Sequence, residues 1–456
     1  MNSNLQPRTD VSPAPTLTVP AGGRFLGNTR DVLRRDQHAV YLAWQKRHGD
    51  LLHIKLPFNI SWYFLAHPDH VGQMLLGSHS TYAKGAFWNR VRMLMGDGLL
   101  TSDGTRWREQ RRQLQPAFKA THHAEFFGAM KDNLLAMTER WEPWASQKEF
   151  DITEEMMRIT LLNAGKTLFG ADFTPRIDAM CHDMSVCVQR INSTNFSRKN
   201  TFNPKLLMAQ KRMHRAIDEI LGTRRALLER GESPDDMLGA LMNARDAQGQ
   251  PLSETELHAE IMTFLFTGQE TTAIALTWMW YLLAQNPDVE ARLLDEFERE
   301  LGGRTPNLED LPRLEYTRRV FLEVLRLYPP VWGIPRETTQ EVEIGGYVIP
   351  ARSILVTLPY VTHRHPDFWD EPERFDPDRH LPERVEARHK YAFFPFGGGP
   401  RLCIANHFAM MEATLLTALV LPRFKLQMVP GQEVKEALWA TLHPEKGLMM
   451  TLEARK

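Results

Sequence analysis

Apolar positions along this chain follow two rhythms, and the rhythm changes twice. Near the start, Asp50 to Leu56 (DLLHIKL) and Ser61 to Pro68 (SWYFLAHP) are short β-rich runs broken at Pro57 and Asn59, which predicts a small antiparallel sheet. From there to about Leu327 the spacing is mainly helical. The firmest helix opens at Ser253, with Glu256 placed to complete a capping box, and runs to about Asn286, where Pro287 stops it. Its middle, IMTFLFTGQETTAIALTWMW, is apolar on every face, so protein must surround it, and Gln269, Glu270, Thr271 and Thr272 make it too polar for a membrane span. A shorter helix is predicted over Glu315–Leu327, ended by Tyr328-Pro329-Pro330. EVEIGGYVIP (Glu341 to Pro350) then alternates around Gly345-Gly346 as a hairpin, with a strand near Ile354 to Leu358 and an amphipathic helix from about Asn406 to Leu421. The expected class is mainly α with small β-sheets.

Composition narrows the picture without naming a chemistry. Of 456 residues, 43% are hydrophobic and 24% charged, enough apolar side chain for a large core. No Gly/Ser-rich linker interrupts the interior, so one catalytic unit over residues 24–456 is expected behind a flexible Pro-rich arm at 1–23. Lys+Arg total 55 against 56 for Asp+Glu, which argues against nucleic acid as a partner. The start lacks the apolar run of a secretory signal, and no segment is apolar enough to span a bilayer, so a cytoplasmic location is expected.

Three cysteines are too few for a disulfide scaffold and lack the paired spacing of a structural zinc site. Cys181 and Cys187 read as buried small hydrophobes. Cys403 stands apart, in FGGGPRLCIANHF, immediately before a predicted helix whose unpaired N–H groups favour a thiolate, the species that binds metal. Gly397, Gly398 and Gly399 let the backbone approach a flat group closely, and Arg401 is placed to make a charge-assisted bond to a carboxylate. The competing readings are a Gly-rich turn with a structural cysteine, or a nucleophile with His407 as its base; the second does not need Phe396, three glycines and Arg401.

The loop resembles, residue by residue, the haem-binding loop of the cytochrome P-450 family, Phe-Gly-x-Gly-x-Arg-x-Cys-x-Gly. Phe396, Gly397, Gly399, Arg401 and Cys403 fall in place, and Ala405 replaces the last glycine. Four further segments resemble that family in its order. WREQR carries Trp107 and Arg111 four apart; TGQETT (Thr267–Thr272) sits mid-helix; Glu323 and Arg326 are three apart; PERF (Pro372–Phe375) carries Arg374. The resemblance implies haem b between the long central helix and the Cys-loop helix, with Cys403 as the axial ligand of the iron. Trp107, Arg111, Arg336 and Arg401 are implied to contact its propionates, and Glu323, Arg326 and Arg374 to form a buried structural network.

It also implies a monooxygenase that inserts one atom of O2 into a hydrophobic small molecule, by hydroxylation or epoxidation. Glu270 is the expected acid and Thr271 the expected hydroxyl of a proton relay. Thr267 stands where Ala or Gly is usual, and would narrow the pocket, hold water or orient a polar substrate group. Leu100, Phe264, Thr267, Val331 and Trp332 are expected at the substrate pocket, and Arg190–Lys205 in a lid. No flavin or nicotinamide fingerprint is present, so electrons are expected from an external NAD(P)H-linked chain through a ferredoxin or flavodoxin, docked at Arg106, Arg108, Arg111 and Arg112. A haem-thiolate peroxygenase or sensor, or a helical binding protein without haem, are the alternatives.

Overall fold

Ser253 caps the longest helix as its sequence requires. Its hydroxyl accepts from the Glu256 N–H at 3.3 Å while the Glu256 carboxylate accepts from the Ser253 N–H at 2.8 Å. In the computed structural model the helix spans Glu254–Gln285, about 48 Å at 1.5 Å per residue. Pro287 opens the next helix, Pro287–Leu301. The model describes residues 20, 22, 27–32, 34, 36–57, 60–145, 148–192, 203–245 and 249–455, with side chains left undescribed at 190–192. All of the arm expected over 1–23 except residues 20 and 22, and most of the stretch expected as a lid over 190–205, lie outside the described residues.

The central helix is buried along almost its whole length because helices enclose it, foremost Ile152–Phe169. Trp278 shows how such burial is reconciled with polarity: its ring stacks on Tyr328 at 4.1 Å and its Nε1 donates to the Leu442 carbonyl at 2.7 Å. The helix after Cys403, Asn406–Val420, differs from expectation. It is buried on every face from Met411 to Val420, not amphipathic, because it is packed between the His123–Trp141, Glu315–Leu327 and central helices.

The β segments from the two ends of the chain join one sheet. The hairpin Leu51–Lys55 and Ser61–Leu65 pairs antiparallel, and its second strand runs parallel to Ile354–Thr357, with Trp62 opposite Ile354. Ile334–Thr338 and the short Tyr82–Ala83 complete five strands. Period-two alternation sends Leu52, Ile54, Phe64 and Val356 into one small core and Leu51, Tyr63, Leu65 and Leu355 into another, so both faces are covered. The Val342–Ile344 and Tyr347–Ile349 hairpin turns on Gly345 (φ 59°) and Gly346 (φ 80°), a two-residue loop that needs left-handed backbone at both positions. Among the described residues no helix is long and apolar enough to cross a membrane.

Candidate active site

The Cys403 loop is held by its own backbone. The Cys403 N–H donates to the Phe396 carbonyl at 2.9 Å and that of Gly397 to Phe394 at 2.9 Å. Gly397 and Gly399 have φ of 74° and 62°, and a Cβ on Gly399 would lie 2.2 Å from the Leu75 carbonyl oxygen. Gly399 therefore serves the turn and its packing against the Pro68–Leu76 helix, while a Cβ on Gly397 would meet nothing closer than 3.9 Å. Ala405 starts the following helix as its cap, without a side-chain bond.

Cys403 keeps accessible surface although protein crowds it closely. Burial pushes its thiol up, opposed by the Ala405 N–H and by Arg111. A bound cation would reverse that balance, since a coordinating thiol is deprotonated outright. Cys181 and Cys187 are also free, and burial pushes both to about 12, as inert cysteines.

Beside the loop lies an excess of buried positive charge. Arg401 pairs with Asp103 and lies over the Trp107 ring at 4.4 Å. Arg336 is 7% exposed and its only side-chain bond among the described residues is to the neighbouring Pro335 carbonyl, at 2.8 Å. Burial, with Arg401 nearby, lowers it to about 10. Arg111 donates to the Leu402 carbonyl at 2.9 Å. Lys84, which sequence reasoning missed, is also buried, its ammonium 4.0 Å from the Trp88 ring centroid. Burial and the Arg336 and Arg401 charges hold its pKa well below the ordinary lysine range. Asp103 is the carboxylate that Lys84, Arg336 and Arg401 share, and buried charge of one sign is costly unless an anion joins it. Such a donor set fits a dianionic group beside the thiol, as the two propionates of haem would be.

On the central helix, Thr267, Gly268 and Thr271 interrupt an otherwise buried run. The Thr267 and Thr271 hydroxyls donate to the carbonyls four residues back, both at 2.8 Å, leaving their oxygens able to accept. Gly268 faces the Ile152–Phe169 helix, where a Cβ would meet Ala164 at 3.6 Å. Glu270, expected as the acid beside Thr271, is buried. Its Oε1 accepts from Thr441 Oγ1 at 2.9 Å and from His443 Nε2 at 2.7 Å.

Two expectations need correction. Glu323 and Arg326 are fully buried and joined by two bonds of 2.8 Å, but Arg374 does not complete the network. Its side chain is 64% exposed and pairs with Glu371; only its carbonyl accepts from Arg326, at 3.0 Å. His380 Nε2, at 3.0 Å, and Arg379 Nε, at 3.5 Å, approach Glu323 instead. Trp332 packs on Tyr41 and donates to the Trp439 carbonyl at 2.7 Å, within the small core on the sheet. Its neighbour Val331 keeps 38% of its surface accessible, while Phe264 is buried against Phe118 and Leu100 is half-buried beside the main core. Arg106 is neutralised by Asp97 and Glu256, at 3.2 and 3.1 Å, whereas Arg108 and Arg112 are exposed.

An accessible cysteine, a cationic nest with one carboxylate, and a threonine pair on a buried helix are each compatible with haem-thiolate chemistry. Comparison with known proteins decides the family, because the cytochrome P450 family model matches residues 15–452. The chain belongs to the cytochrome P450 family. It is 36% identical to cyclooctatin synthase of Streptomyces melanosporofaciens over 92% of each chain. It is 31% identical to pentalenene oxygenase of Streptomyces avermitilis over 96% of this chain and 97% of that one. The structure of a cytochrome P450DA heme domain superposes with a TM-score of 0.86 at 26% identity, covering 96% of this chain and 98% of that one. This P450 is accordingly a haem-dependent monooxygenase that uses O2 and electrons from a redox partner, with the mainly helical fold of its family.

Proposed function

We propose that this P450 oxidises a terpene, with Cys403 as the axial ligand and a small acidic ferredoxin, reduced by an NAD(P)H-linked reductase, as electron donor. The observation that carries the site assignment is Cys403 beside Arg111, on a loop whose Arg401 shares Asp103 with the buried cations Lys84 and Arg336. Bound haem supplies the dioxygen reduction and oxygen insertion, which are the cofactor's own chemistry.

The protein's residues bind and orient. Trp107 and Arg111 come from the Gly104–Leu114 helix, Arg336 from a sheet strand and Arg401 from the Cys403 loop, so three elements would grip the propionates. Thr271 offers a hydroxyl able to pass a proton, and Thr267 a second one a turn away. Glu270 anchors this stretch of helix through Thr441 and His443. Leu100, Val331 and the Phe118–Phe264 pair supply apolar surface suited to a hydrocarbon skeleton.

Terpene oxidation draws support from the relatives, whose names include cyclooctat-9-en-7-ol 5-monooxygenase, 34% identical over 92% of this chain, and pentalenene oxygenase. Arg108, Arg111, Arg112 and Lys119 border a hollow beside Trp107 and make a basic face for an acidic donor. Arg106, tied to Asp97 and Glu256, is left out of it. The test is a panel of terpene hydrocarbons and alcohols, with fatty acids of matched size, scored for spin-state shift and then for oxygenated product with NADPH, reductase and ferredoxin. Terpenes should give both signals, and reduction should slow with salt, less steeply in Arg112→Glu. A preference for fatty acids, or reduction indifferent to salt, contradicts the reading.

A further inference from the structure

Polar side chains on the central helix form a stripe. Glu256, Glu260, Thr263, Thr267 and Thr271 follow one another at steps of three or four residues, which places them on one helical face. At the outer end Glu256 is partly exposed and accepts from Arg106, which also binds Asp97. One turn inward, Glu260 is 1% exposed: its Oε2 accepts from the Leu99 N–H at 3.0 Å, and its Oε1 is buried without a partner. Thr263, next along, is 3% exposed, and its hydroxyl too is buried and unpartnered. Both pack against one loop, since a Cβ on Gly98 would lie 2.4 Å from Thr263 Oγ1 and Leu99 is the partner of Glu260. An unpaired buried polar atom costs on the order of 1–3 kcal/mol, and orphans of this kind ask for a functional explanation.

We propose that Glu260 and Thr263 are the inner half of a proton route that enters between Asp97, Arg106 and Glu256 and ends at Thr267 and Thr271. The proposal rests on the monooxygenase reading, which requires protons in the pocket, and it gives the acid's role to Glu260 in place of Glu270, whose Oε1 is bonded to both His443 and Thr441. The Glu260 carboxylic acid gives its proton through ordered water to the Thr263 oxygen, since the two groups are not bonded to each other, as Thr263 releases its own toward Thr267 through further ordered water. The carboxylate is then reprotonated from solvent at the Glu256 end, so each proton consumed comes from bulk water and no electron moves. Burial pushes Glu260 up to about 7, against the Leu99 N–H and Arg106, with Asp97 and Glu256 adding to the rise. Glu260 is thus poised to gain and lose a proton near neutral pH, where a relay acid works best.

The test uses full-length holoenzyme carrying Glu260→Gln, which keeps an acceptor for Leu99, and Thr263→Val, which cuts the route while leaving the acid in place. Infrared difference titration of the wild type should show a protonated-carboxyl band that appears as pH falls through about 7. The band should be absent from Glu260→Gln and retained in Thr263→Val. Both variants should make less product per electron, by roughly tenfold or more, diverting electrons to hydrogen peroxide. Both should also lose the pH dependence of coupling. An infrared titration with no band that vanishes in Glu260→Gln overturns the proposal, as does unchanged coupling and pH profile in either variant. The band does not depend on turnover, so failure of every terpene to react would strike the substrate reading and leave this one to be judged by infrared.

Discussion

His443 Nε2 lies 2.7 Å from Glu270 Oε1, and Thr441 donates to that same oxygen at 2.9 Å. Because both bonds fall on one oxygen, Glu270→Gln can keep them, and Glu270→Ala cannot. The Gln variant should retain wild-type product per electron and thermal stability. The Ala variant should lose about 1–3 kcal/mol in denaturant melts, as buried Thr441 and His443 lose their acceptor. Collapse of coupling in Glu270→Gln would restore Glu270 as the acid and remove its anchoring role.

The Glu323 network predicts a sharp contrast between two arginines. Burial pushes the Glu323 carboxyl up, but Arg326 and the His380 hydrogen bond outweigh it and hold its pKa below the ordinary value. Arg326→Ala would leave that charge buried and should cost about 3–5 kcal/mol. Arg374→Ala, at an exposed side chain, should stay within about 0.5 kcal/mol. Equal losses in equilibrium unfolding would show that Arg374 belongs to the network after all.

Part of this was legible in sequence because it is local. The Ser253–Glu256 capping box, Pro287 and the Gly345-Gly346 turn each act within a few residues, and the helix and hairpin they bound stand where expected. The Cys403 loop was legible for a similar reason: its residue types are constrained one by one. Arg374 misled because Glu371 and Arg374 form an exposed turn, closed by Arg374 N–H to Glu371 carbonyl at 2.9 Å, which turns the side chain out. His380 sits six residues on, and nothing in its spacing marks it as the residue that folds back on Glu323. The His443 contact with Glu270 spans 173 residues, and Lys84 meets Arg336 and Arg401 only once the sheet and the loop are assembled. Trp332 reads equally well as pocket or core until Tyr41 and Trp439 are seen to claim it.

Glu412, on the helix that follows Cys403, predicts a pH effect on stability. It is fully buried, its Oε1 accepts from Asn163 at 2.7 Å, and burial pushes its carboxyl from an ordinary 4.5 to about 8. The folded state therefore favours the protonated acid. That contribution is complete below about pH 4.5 and fades as pH rises through about 8. Glu412→Gln cannot titrate, so its melting temperature should gain on the wild type steadily between those limits and hold a constant offset above them. An offset independent of pH would contradict the raised pKa.

The assignment of Cys403 as the axial ligand is tested most directly by the absorption spectrum of the reduced holoenzyme under carbon monoxide. The wild type should show the red-shifted Soret band from which the family takes its name, a signature of thiolate ligation, and Cys403→Ala should lose it. A band that survives in Cys403→Ala, or one absent from haem-loaded wild type, would contradict the account at its centre.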